Sequence, residues 1–118
     1  MPANAFAEHC LELLAPLGNV RARRMFGGHG FFVDDLFFAL VLFERLHLKT
    51  NDETRARFIA AGCEPFIYEA RGKKVTTSYW TVPADAMESS ALMAPWARLG
   101  LGAAVAKRAA KPPQRKLR

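Results

Sequence analysis

Apolar residues along this chain keep one spacing, then another, and the changes divide it into elements. Over residues 4–14, Phe6, Cys10, Leu13 and Leu14 recur on one helical face, with Asn4 as N-cap and Pro16 and Gly18 as the stop. From Val20 the period falls to two. VRARRMF, GFFVD, LFFALVLF and RLHLK read as four successive strands, with hairpin turns at Asp34–Asp35 and Glu44–Arg45. Those turns set Phe32 beside Phe37 and Val41 beside Leu48. The unbroken run 36–43 reads as a central strand covered on both faces. In RLHLK, Leu46 and Leu48 point inward, while Arg45, His47 and Lys49 point outward.

A second helix fits Asn51–Ala61, with Thr50 and Glu53 at capping-box spacing, Gly62 as the C′ residue, and Phe58 and Ile59 as anchors on the sheet. FIYEA and KKVTTSYW form another hairpin turning at Arg71–Gly72, which pairs Glu69 with Lys74 and Tyr68 with Val75. A short helical segment follows Pro83. Ser89 or Ser90 caps a longer helix carrying Leu92, Trp96, Leu99 and Ala103 on one face, which Pro95 kinks or divides and Gly100 and Gly102 weaken. The order α-ββββ-α-ββ-α predicts an α+β two-layer domain, an antiparallel sheet with helices on one face.

Composition sharpens this picture in two places. With 118 residues, 51% hydrophobic and nine phenylalanines, the chain is long and apolar enough for one globular domain. No apolar run approaches the length of a membrane span, and the N-terminus lacks a basic start and an apolar signal core, so a cytoplasmic protein is expected. The net charge of +6 is unevenly placed. Lys107, Arg108, Lys111, Arg115, Lys116 and Arg118 supply six positive charges in residues 107–118, without an acid. Residues 1–106 are therefore neutral, and the expected division is a folded body over 1–106 and a basic, disordered tail over 107–118.

Candidate chemistry is sparse. The MFGGHG stretch at 25–30 could be a phosphate loop, but such loops join a strand to a helix, and here both flanks are strands. Gly27, Gly28 and Gly30 are read as supplying positive φ in a turn or bulge. The histidines His9, His29 and His47 show no metal-ligand spacing. Cys10 and Cys63 fit no metal or redox motif and read as small buried hydrophobes. Turn formation and helix capping account for Asp34–Asp35 and Asp52–Glu53, and Ser78, Ser89 and Ser90 lack a nucleophile signature. Arg21, Arg23 and Arg24 form the densest basic cluster in the body. On a strand, Arg21 and Arg23 share a face and Arg24 takes the other; they are either a solvated edge or a grip on phosphates or an acidic partner.

The stretches RRMFGGHGFFVDDLFFALV, LHLKTNDETRARFIAAG, EPFIYEARGKKVTTSYWTVP and PWARLGLGAA also carry a family resemblance. Over about residues 5–106 the chain resembles the N-terminal domain of the TfoX (Sxy) proteins, regulators of natural competence in bacteria. The most specific motifs are Met25-Phe26-Gly27-Gly28, Leu48 to Asp52, Ser78-Tyr79-Trp80 and Pro95-Trp96-Ala97-Arg98. The resemblance implies a two-layer fold like that of secretion chaperones, and a role in transcriptional control beside a DNA-bound activator. It implies no catalytic residue and no cofactor, and the matching motifs read as maintaining the fold. Full-length competence regulators carry a second, C-terminal helical domain where this chain has its basic tail, so a stand-alone single-domain member is expected.

Two functions follow as expectations. The first is a non-enzymatic regulatory or adaptor domain acting through a protein partner, such as a transcription factor or a second copy of itself in a homodimer. The second is direct, salt-sensitive nucleic-acid binding through the basic tail and Arg21, Arg23 and Arg24. A deep polar pocket holding His29 or Tyr79 would point instead to a small-molecule site.

Overall fold

The computed structural model describes the backbone of residues 2–110 and the side chains of residues 5–110. Helix α1 (Pro2–Leu14) leads through a 3-10 turn (Ala15–Leu17) into β1 (Val20–Met25), β2 (Gly28–Val33), β3 (Leu36–Leu42) and β4 (Arg45–Lys49). Helix α2 (Arg55–Ala60), β5 (Pro65–Ala70), β6 (Lys73–Thr81), a second 3-10 turn (Ala84–Glu88) and α3 (Ser90–Ala110) complete the chain's described part. The six strands form one antiparallel sheet in the order β1-β2-β3-β4-β6-β5. This is the α+β architecture and element order that the hydrophobic pattern predicts.

The main core lies between one face of the sheet and the helices. Cys10, Leu13 and Leu14 of α1, Phe58 of α2 and Met93, Ala97 and Ala104 of α3 meet Phe31, Phe38, Ala39, Val41, Leu46, Leu48 and Trp80. Leu40 and Leu42 are also buried, but outside that cluster, on the opposite face. Strand β3 is thus covered on both sides, as its unbroken apolar run requires.

Four two-residue turns join the hairpins, and both central residues of each have positive φ: Phe26–Gly27, Asp34–Asp35, Phe43–Glu44 and Arg71–Gly72. That geometry matches the twist of the flanking strands. The pairs Phe32↔Phe37, Glu69↔Lys74 and Tyr68↔Val75 form as expected. The third turn does not sit at Glu44–Arg45. It falls one residue earlier, so Val41 pairs with Leu46 and Ala39 with Leu48. Moving a hairpin turn by one residue slides the pairing by two, and every side chain keeps its face, so hydrophobic alternation cannot distinguish the two registers.

Other local expectations yield to packing. Helix α1 starts at Pro2, which leaves Asn4 inside it rather than at its cap; proline suits a first helical position. The Thr50–Glu53 capping box does not form. Thr50 donates instead to the Ser78 carbonyl at 2.8 Å, and the Asn51 side chain accepts from the amides of Glu53 and Thr54, delaying α2 to Arg55. Gly62, at φ 82°, ends α2 as expected, with Cys63 N–H donating to Phe58 O and Gly62 N–H to Ile59 O. Phe58 is buried, but Ile59 is exposed, because a helix of six residues presents only one face.

Helix α3 is capped by Ser89, whose hydroxyl accepts from Leu92 N–H at 3.1 Å, and it runs unbroken through Pro95. Its buried residues are Met93, Ala97, Gly100, Ala103 and Ala104, whereas Leu92 is exposed. The expected face is therefore rotated toward the small residues, because α3 lies close against β3 and β4. A Cβ on Gly100 would stand 3.2 Å from Leu48 Cδ2 and 3.4 Å from Phe38 O. The expected body–tail boundary falls inside α3: Lys107 and Arg108 are helical, and Lys111, Arg115, Lys116 and Arg118 lie outside the described residues.

The glycine reading is corrected as well. Only Gly27 supplies positive φ; Gly28 and Gly30 lie within β2. Their need is space. A Cβ at Gly28 would collide with Val41 O, and one at Gly30 with Met25 Sδ and, at 2.8 Å, Phe37 Cε1. His47 and Lys49 do not point into solvent either. They are 4% and 7% exposed, covered by aromatic side chains that neighbouring strands contribute.

Two measurements check this packing. Gly28→Ala should cost about 2–3 kcal/mol in urea unfolding through overpacking against backbone. Gly102→Ala, where a Cβ meets nothing within 4 Å, should instead gain about 0.5–1 kcal/mol of helix propensity.

His47 generates a pH dependence. Its Nδ1–H donates to the Leu40 carbonyl at 3.3 Å and its ring meets Phe66 edge-on at 5.4 Å. Burial, helped by the neighbouring Arg45 charge, pushes its pKa below the usual 6.5 despite that hydrogen bond. The unfolded chain therefore takes up the proton first, and acid favours unfolding. Stability should fall as pH drops below about 6.5 and level off below the folded-state value, and His47→Leu should flatten that part of the urea-midpoint profile.

Candidate functional site

The helix-free face of the sheet holds the unusual chemistry, and a β-bulge builds it. Between β2 and β3 the register steps from Phe31↔Ala39 to Phe32↔Phe37, leaving Phe38 as the extra residue. Phe38 and Ala39 consequently both enter the main core, and Phe37 turns to the other face beside Phe32. A row of rings results. Phe32 stacks on Phe37 at 5.1 Å between centroids, and Phe37 lies 5.2 Å from Tyr79 of β6. Cations close both ends: the Arg23 guanidinium is 5.7 Å from the Phe32 centroid, and Lys49 Nζ is 5.0 Å from that of Tyr79.

Arg21, Arg23 and Arg24 are exposed along β1, an edge strand. Register puts Arg21 and Arg23 on the helix-free face, opposite Phe32 and Gly30, and Arg24 on the other, opposite His29. They are therefore not a single three-pronged grip. A cleft of about 580 Å³ is lined by Asn19, Arg21, Arg23, Phe32, Asp34 and Asp35. It adjoins a second, of about 290 Å³, that Asp35 also lines together with Phe37, Lys49, Tyr79, Lys107 and Arg108. The last turn of α3 thus brings Lys107 and Arg108 to the sheet, and Arg108 Nη2 donates to Asp35 O at 3.3 Å. Tyr79 does line a pocket, whereas His29 lines neither of these two clefts.

Further rings lie along β5 and at the turns. Phe66 lies 6.5 Å from Phe43 and 6.3 Å from Tyr68. Phe26 and Phe43 occupy the β1–β2 and β3–β4 turns, which lie at the same end of the sheet because β1 and β3 run in the same direction. Phe26 is 71% exposed and Phe43 86%, with φ of 55° and 54°. Neither was a candidate in the sequence, although Phe26 stands in the Met25–Gly28 motif. Lys49 was missed because strand alternation placed it in solvent.

This surface can stack and attract, but nucleophiles are not prepared on it. Burial pushes the Cys10 thiol and the Tyr79 hydroxyl each up to about 12, so both stay protonated near neutral pH. Cys10 is fully buried and Cys63 half-buried, both free. Among the described residues, no three His, Cys, Asp or Glu side chains converge as a metal site would require. No described helix is long and apolar enough to cross a membrane.

Two comparisons bear on this surface. The sequence model of the TfoX N-terminal domain matches residues 12–104, which include the whole sheet. The DNA transformation protein TfoX1 of Aliivibrio fischeri is 36% identical over 75 residues, covering 64% of this chain. The match spans only 36% of that relative's length.

Proposed function

The chain belongs to the TfoX N-terminal domain family, and from that premise we propose that it is a non-enzymatic regulatory domain that controls transcription by docking a protein partner. The relative's role in DNA transformation supports the regulatory part of this reading. A domain acting on transcription works beside the genes, so the reading carries a cytoplasmic location with it.

One observation carries the docking. Phe26 and Phe43 stand at positive φ with their rings in water. Left-handed backbone costs an ordinary residue about 1–2 kcal/mol, and Asn or Gly would make either turn more cheaply. Among the described residues Phe26 stacks on no ring and Phe43 meets only that of Phe66, at 6.5 Å between centroids, so folding gains little from phenylalanine at these two tips. A partner gains more, since exposed aromatic anchors, here with Phe66 beside Phe43, are what protein interfaces concentrate their binding energy on. The occupant is a regulatory protein, and a second copy of the chain is the competing one.

Phe26→Asn and Phe43→Asn test this. Each variant should keep its urea stability or gain about 1 kcal/mol, since Asn tolerates the left-handed region. Transcription of DNA-uptake genes should fall when the double variant replaces the natural protein in the cell. Unchanged transcription sinks the reading. A wild-type dimer in sedimentation that the double variant abolishes would make the second copy the occupant.

Direct nucleic-acid binding is the second reading. It is favoured by Arg21 and Arg23 sharing a face with the ring row and adjoining Lys107 and Arg108. It requires full-chain affinity for a labelled duplex, read by anisotropy, to collapse between about 50 and about 200 mM salt and to weaken on Arg21→Ala and Arg23→Ala.

A further inference from the structure

Among the described residues, Lys49 is a buried cation without a counter-charge. It is 7% exposed, donates one 3.3 Å hydrogen bond to Ser78 Oγ, and otherwise lies over the Tyr79 ring. An ammonium has three protons to place. Among the described residues the one ion pair is Arg55–Asp52, elsewhere on the surface, so no described carboxylate pairs with Lys49. Buried charges in proteins are ordinarily paired, because an unpaired one keeps the full cost of leaving water.

The surroundings increase that cost. Lys107 approaches from α3 closely enough that its charge, after burial itself, holds the Lys49 pKa below the usual 10.5. Arg108 stands one residue further on and lines the same cleft. Three cations from β4 and α3 converge on about 290 Å³ of open space. The one acid that lines it, Asp35, is exposed at the hairpin tip and meets Arg108 through its carbonyl. A methionine at position 49 would satisfy the packing and avoid the repulsion, so folding does not account for the lysine.

Two of the sequence motifs meet beside this cleft. Leu48 to Asp52 brings Lys49 and Thr50, and Ser78-Tyr79-Trp80 brings Ser78 and Tyr79. Thr50 holds the Ser78 carbonyl at 2.8 Å, which fixes the strand whose hydroxyl receives Lys49. Tyr79 lines the cleft, and its hydroxyl stays protonated and able to donate.

We propose that this cleft binds a phosphate group, with Lys49 as its buried counter-charge and Lys107 and Arg108 holding it from α3. A doubly charged oxyanion matches several converging cations better than a single carboxylate does. The exposed edges of Phe37 and Tyr79 form an apolar wall beside it, suited to whatever bears the phosphate. The bearer is either a free nucleotide or one phosphate of a nucleic-acid strand. The site is independent of the docking tips at Phe26 and Phe43, so either can fail without the other.

The experiment is thermal unfolding and calorimetric titration of the full chain with inorganic phosphate, against sodium chloride at equal ionic strength and against acetate. Phosphate alone should raise the melting temperature saturably. Lys107→Ala should weaken phosphate binding about tenfold, the value of one charge-assisted contact. Lys49→Met should abolish the phosphate response and melt no lower than the natural protein when phosphate is absent. Equal shifts with phosphate and chloride would overturn the proposal, as would a phosphate response that survives Lys49→Met. If Lys49→Met does not fold, Lys107→Ala and Arg108→Ala, both on an exposed helix turn, decide it: unchanged affinity in both overturns it. Titrating a mononucleotide and a short single-stranded DNA in parallel identifies the bearer, as the one that binds more tightly through Lys107.

Discussion

The burial of β3 on both faces is the constraint on which the rest of this structure depends. Leu36–Leu42 has no polar side to turn toward water. One face can rest on helices, and the other must find a cover of its own. The chain meets this with a bulge at Phe38. Phe38 joins the helical core, while Phe37 starts an aromatic layer on the far side with Phe32 and Tyr79. Gly28 and Gly30 leave room for that layer to close against β3. Once it exists, the outward residues of β4 are no longer outward, and a histidine and a lysine are carried into the protein.

Charge follows from this arrangement. Arg55–Asp52 is an exposed pair, with the Asp52 side chain almost wholly in water, and contributes little to stability. Lys49 differs because it was buried by strands other than its own, and α3 then brought Lys107 beside it rather than an acid. The last turn of α3 is also a favourable place for cations, since the helix dipole is negative there. The fold therefore has a reason to hold Lys107 and Arg108 where they stand, but only one hydrogen bond and the Tyr79 ring to hold Lys49 opposite them.

The helix-free face consequently has two ends of different character. One presents phenylalanines on strained turns, and the other presents cations around an aromatic wall. The two proposals are compatible, because a partner docked through the rings at one end leaves the cleft at the other open to a phosphate.

Much of the frame was legible in the residues themselves. The strand count, the turns at Asp34–Asp35 and Arg71–Gly72, the pairs Phe32↔Phe37 and Glu69↔Lys74, the Gly62 stop and a serine cap at 89 or 90 all follow from a few neighbouring positions. Turn geometry, capping and alternation act over such short distances, so the sequence by itself determined them. Tertiary structure decided the β3–β4 register, because two registers put the same side chains on the same faces. It decided which face of α3 is buried, since close approach to Leu48 favours Gly100 and Ala97 over larger residues. It also decided the candidate site. Lys49 is buried by Tyr79 and confronted by Lys107, residues far from it in the chain, and no local pattern records what a distant strand or helix will lay over a side chain.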